Sequence, residues 1–136
     1  MHAAGCTTGK RGGESADPEL LVALGRVRDE PAAKVYLQRA AEVIGVCREL
    51  GLVCRVFVMV GLPGQTRAAL ETTAAWLRQV RPARLHVKPF HWYPGIGLPQ
   101  IDAPDVAEQT RIVQASLKLD TSLRRRLLGR LTRRKD

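Results

Sequence analysis

No stretch of the 136-residue sequence approaches the run of about eighteen apolar residues that a membrane span requires. The start, Met1-His2-Ala3-Ala4-Gly5, also lacks the apolar segment of a secretion signal, so a cytoplasmic address is expected. Cysteine is scarce. Cys6, Cys47 and Cys54 are an odd number, and no pair has the short C-x-x-C spacing of a zinc or dithiol redox site, which points to reduced thiols. Internal repeats are absent as well. What remains is an ordinary globular balance, 45% apolar and 26% charged, in one domain's length of chain. A domain of that size buries roughly two thirds of its unfolded surface, enough for a core if its secondary structure closes on itself.

The net charge of +9 is unevenly placed. Between Leu123 and Asp136 seven basic residues (Arg124, Arg125, Arg126, Arg130, Arg133, Arg134 and Lys135) face one acid, so six of the nine net charges sit in the tail. Such a tail is either a solvated end or a contact for phosphates or an anionic surface. It carries no aromatic residue on which a base could stack, which counts against nucleic acid.

Three regimes follow along the chain. Residues 1–12 are rich in Gly, Thr, Ala and Lys without periodicity and are expected to form an irregular or damaged start. Residues 13–119 alternate helical and strand patterns, and 120–136 form the basic tail. Asp17 before Pro18 is a helix entry, the carboxylate capping and the proline standing where its missing N–H costs nothing, and a short helix to about Leu24 ends at Gly25. Pro31 opens a longer helix with Leu37, Ala40, Ala41, Ile44, Cys47 and Leu50 at helical spacing, and Gly51 stands where a left-handed cap belongs. Cys47 thus reads as core.

Leu52 to Val60 (LVCRVFVMV) is a β-branched and aromatic run broken once by Arg55, the pattern of a parallel-sheet strand. After Gly61-Leu62-Pro63-Gly64, helical spacing returns from Arg67 to Val80. A second strand is expected at about Arg84 to Phe90, a loop over His91 to Pro99 (HWYPGIGLP), and a last helix from Pro104 to about Leu119. Helix and strand in alternation build βαβ units. By the two-residue period of strands, Cys54, Val56, Val58, Val60, Leu85 and Val87 face the helices, while Arg55, Phe57, Met59, His86, Lys88 and Phe90 face an interior or lumen. Function in such folds sits at the C-terminal ends of the strands, here Met59 to Gly64 and Lys88 to Tyr93.

These segments resemble a family. Val56 to Thr66 (VFVMVGLPGQT), its helix and Val87 to Gly95 (VKPFHWYPG) are similar to the fifth and sixth strands of the radical S-adenosylmethionine (radical SAM) superfamily, whose strands end in G-[FL]-P-G-E-T and in an aromatic-rich Y-P-G-T loop. Gly13-Glu14-Ser15-Ala16-Asp17-Pro18-Glu19-Leu20-Leu21 resembles the G-x-E-S-x-x-P-x-x-L that ends the fourth strand. Order and spacing of all three match over about residues 12–99. The resemblance implies an incomplete (β/α) barrel fragment with two to three parallel strands and flanking helices. It further implies S-adenosylmethionine bound against a [4Fe-4S] cluster. Carried over position by position, Glu14 and Ser15 are polar contacts to the ribose and methionine parts, Met59 is an apolar adenine contact, and Gly61, Pro63 and Gly64 form a loop that admits close approach. His86, Lys88, His91 and Tyr93 remain of a substrate-facing wall, with Lys88 and Tyr93 the substrate contacts to test. Trp76 and Trp92 read as packing residues.

The departures are as specific as the matches. The family's C-x-x-x-C-x-x-C cluster motif is absent, no apolar run precedes Glu14, Gln65 stands where the family usually has Glu, and Ile96 where it has Thr. The expectation is a C-terminal portion of a radical SAM core, inactive alone and partnered by the missing N-terminal half of the barrel. Two other classes stay open: a small basic non-enzymatic module docking RNA or an acidic protein through its Arg-rich tail, and a cofactor-free half barrel with another chemistry.

Overall fold

A computed structural model of the chain describes residues 8–12, 15–100 and 105–116. Three strands, β1 (Thr8–Gly12), β2 (Val53–Val60) and β3 (Arg84–Pro89), form one open parallel sheet in the order β1-β2-β3. Register is set by pairs such as Lys10 with Arg55 and Phe57 with His86. Helices α1 (Pro18–Ala23) and α2 (Glu30–Glu49) connect the first two strands, α3 (Arg67–Val80) connects the second and third, and α4 (residues 106–116) follows. No helix among the described residues is long and apolar enough to cross a membrane.

Each helix starts at a cap that its sequence supplies. The Asp17 carboxylate accepts from Leu20 N at 3.0 Å, that of Asp29 from Ala32 N at 2.8 Å, the Thr66 hydroxyl from Ala69 N at 3.1 Å and Asp105 Oδ1 from Glu108 N at 2.9 Å. The end of α3 is less usual: Arg81 takes a left-handed conformation (φ 46°) that favours glycine. Arg48 of α2 stabilises that turn by donating to the carbonyls of Val80 and Arg81, the negative end of the helix dipole.

One core holds the layers together. Cys54, Val56, Val58 and Val60 of β2 pack against Ile44 and Cys47 of α2, Leu70, Leu77 and Val80 of α3 and Val113 of α4, with Leu85 and Val87 beside them. Along most of the strands the faces therefore divide as the alternation predicts, and both described thiols are buried on the helix side; at the strand ends Met59 and Phe90, expected to face an interior, pack on Leu20, Leu62 and Ala69. Leu50 departs from its expected place: it caps α2 and is 49% exposed.

The expectation for the start of the chain is corrected. The start, expected without regular structure, contains β1, because a parallel ladder is built from backbone groups and T-G-K-R-G can supply them without an apolar run. Consequently β2 is paired on both sides and is the central strand.

Candidate functional site

Parallel strands end at one edge, so the turns after β1, β2 and β3 gather there. The turn after β2 is held by side-chain amides. The β2 backbone turns at Gly61 (φ 75°), whose N–H donates to Gln109 Oε1 of α4 at 2.6 Å. Gln65 then spans the turn: its Oε1 accepts from Leu62 N at 3.2 Å and its Nε2 donates to Met59 O at 3.1 Å. The amide offers both an acceptor and a donor, where an ionised glutamate would offer acceptors only, so the glutamine that departs from the family pattern has a local reason to be there. Gly61, Leu62 and Pro63 are buried, and Gly64 (φ 77°) is the exposed apex. A Cβ at Gly64 would meet nothing within 4 Å, so what requires glycine at that position is backbone handedness.

Met59 is half-buried and, with Phe90 and Leu24, packs on an apolar knot of Leu20, Leu62 and Ala69. Phe90 N donates to Val60 O at 2.8 Å, which fixes the exit of β3 beside that of β2. Beyond it, Trp92 Nε1 donates to Leu98 O at 2.8 Å and Tyr93 is exposed.

Ser15 lies inward of this edge. It is 2% exposed, its Oγ accepts from Asp17 N at 3.0 Å and lies 3.3 Å from Thr73 Oγ1 of α3, and Thr73 Oγ1 accepts from Ala16 N at 3.0 Å. Its hydroxyl is thus engaged in docking the β1 exit onto α3. Glu14 lies outside the described residues, as do Cys6 and the basic tail.

Neither a protein-family model nor a curated protein matches the chain. What the edge can do is therefore read from its own residues. Met59 and Phe90 offer apolar contact, the Gly64 apex is open, and the Gly61 and Leu62 N–H groups are already bonded within the chain. Among the described residues no three His, Cys, Asp or Glu side chains cluster as metal ligands, and Cys47 and Cys54 point into the apolar core. These thiols do not fit an iron–sulfur cluster.

Of the substrate-wall candidates, Lys88 and His86 come together on the sheet face opposite the helices. Lys88 Nζ lies 4.5 Å from the centre of the Phe57 ring, and the His86 and Phe57 rings are 5.2 Å apart. His91 and Tyr93 lie beyond on the exposed loop. Sequence reasoning missed Thr73 and Gln109. A hydroxyl on the buried face of α3, between Leu70 and Leu77, was a readable signal for the first; Gln109 carries none, because only the tertiary fold brings it to Gly61.

Proposed function

We propose that the chain supplies the adenosyl-binding edge of a radical SAM-type (β/α) barrel, with the cluster thiolates and remaining strands coming from a further segment or a partner chain. The observation that supports this reading is positional. The three motif segments, at Ser15–Asp17, Gly61–Thr66 and Phe90–Gly95, leave adjacent parallel strands in sequence order at one edge. The α2, α3 and α4 side chains that build the core all lie on one face of the sheet, as the winding of a barrel requires.

Within that reading Met59 packs on the adenine, Phe90 flanks it, and the Gly61–Gly64 turn, pinned by Gln65 and Gln109, keeps side chains out of the approach. The Ser15 hydroxyl, bonded to Thr73, acts as a structural support for the edge. Glu14 keeps its proposed ribose contact. The chain alone then binds an adenosyl ligand without generating a radical, since its two described thiols are core residues.

Calorimetric titration with S-adenosylhomocysteine tests this. Saturable binding to the chain, lost in Met59→Asp and retained in Met59→Leu, is expected. Binding that ignores Met59→Asp while the variant stays folded would remove the adenosyl reading and leave a half barrel of other chemistry.

A further inference from the structure

The sheet face turned away from the helices carries cations and, among the described residues, no carboxylate. On it β2 places Arg55, Phe57 and Met59, and β3 places Arg84, His86 and Lys88, half-buried along β2 and exposed along β3. Arg55 and Arg84 are register partners on adjacent strands. The ion pairs formed among the described residues join Arg28, Lys34 and Arg67 to acids, all off the sheet, and none of Arg55, Arg84, His86 or Lys88 enters one. The Arg55 Nε is shielded from solvent and has no hydrogen-bond partner among the described residues. Like charges side by side on a sheet repel, and a guanidinium N–H without an acceptor suits the oxygen of an anion.

We infer that this face binds a small molecule with two anionic groups, phosphate or carboxylate. The first group is held by Arg55 and Arg84, whose forked donors match either anion. The second meets Lys88 and His86, four and two residues further along β3, about 13 Å at most from Arg84 at roughly 3.3 Å per residue. Phe57 lies beneath the middle of the ligand. A nucleic-acid strand fits less well, because Phe57 is the single aromatic ring of β2 and already contacts Lys88 and His86, so successive bases have no platform. The inference goes beyond the adenosyl reading, since it uses the sheet face and not the turn at Gly61–Gly64.

The test titrates the full chain with pyrophosphate, with glutarate and with a ten-nucleotide single-stranded RNA. The same titrations are run on Arg84→Gln and Lys88→Gln, both at exposed positions, and on Arg78→Gln of α3 as a charge-matched control. Saturable one-to-one binding of pyrophosphate or glutarate is expected, about tenfold weaker in each sheet variant and unchanged in Arg78→Gln. Preference for one probe distinguishes phosphate from carboxylate, and either supports the inference. S-adenosylhomocysteine titrated into the same variants separates the two readings: Arg84→Gln leaves its affinity unchanged if the adenosyl edge is distinct. Absence of saturable binding by both anions, equal weakening in Arg78→Gln, or RNA binding tighter than either anion would overturn it.

Discussion

Replacing Thr73 with valine tests how the β1 exit is held. Valine is close to threonine in shape, so Thr73→Val leaves little cavity and removes chiefly the hydroxyl. That oxygen accepts from Ala16 N and pairs with Ser15 Oγ, and residues 15, 16 and 73 are all buried. Orphaning a buried N–H costs about 1–3 kcal/mol and losing the second hydrogen bond about 0.5–1.5, so the variant should be destabilised by about 1.5–4.5 kcal/mol. Thr73→Ser keeps the hydroxyl and loses one methyl, for about 1 kcal/mol. Urea denaturation followed by circular dichroism gives both values. A coupling of about 0.5–1.5 kcal/mol between Thr73→Val and Ser15→Ala is expected in a double-mutant cycle. Thr73→Val as stable as the unsubstituted chain, or more stable than Thr73→Ser, would show that Ser15 is not held in this way.

Four further outcomes can be checked on the same chain. Gln65→Glu sets a carboxylate against Met59 O and should cost about 1–2 kcal/mol at pH 7, a deficit that shrinks below about pH 4, where the introduced carboxyl is protonated and can donate; a pH-independent deficit would contradict the assigned bond. Arg48→Ala removes both donors to the end of α3 and should cost about 1–2 kcal/mol in denaturant melts. Arg81→Gly relieves the left-handed residue and should raise stability by about 0.5–1 kcal/mol, with a lower melting temperature as the contrary result. Leu77→Ala empties the centre of the core and should cost about 2–5 kcal/mol; a loss below 1 kcal/mol would mean that α3 does not pack on β2 as described.

Elements with local signals were legible in the sequence. Asp17-Pro18 predicted the start of α1, the spacing of Leu70, Ala74, Leu77 and Val80 predicted α3 at both ends, and the alternation in VCRVFVMV separated core from open face, Cys54 included. Features decided by tertiary partners were not legible. Thr8–Gly12 becomes a strand because β2 offers it a ladder, which no residue in T-G-K-R-G announces. Leu50 follows the helical spacing, yet as the cap of α2 it has turned out of the core. Ser15 carried a functional expectation from its motif, and only the fold reveals Thr73 beside it. The same holds for Gln109, which crosses from α4 to Gly61.

The measurement closest to the central claim is the mapping of backbone amide shifts on adding S-adenosylhomocysteine to the isotope-labelled chain. Changes concentrated at Met59–Gln65 and Phe90–Tyr93, with Ser15 and the helix-facing core unmoved, are the predicted result. Changes confined to the sheet face around Arg84 and Lys88, or no changes at ligand concentrations that saturate the calorimetric signal, would contradict an adenosyl site at the strand ends.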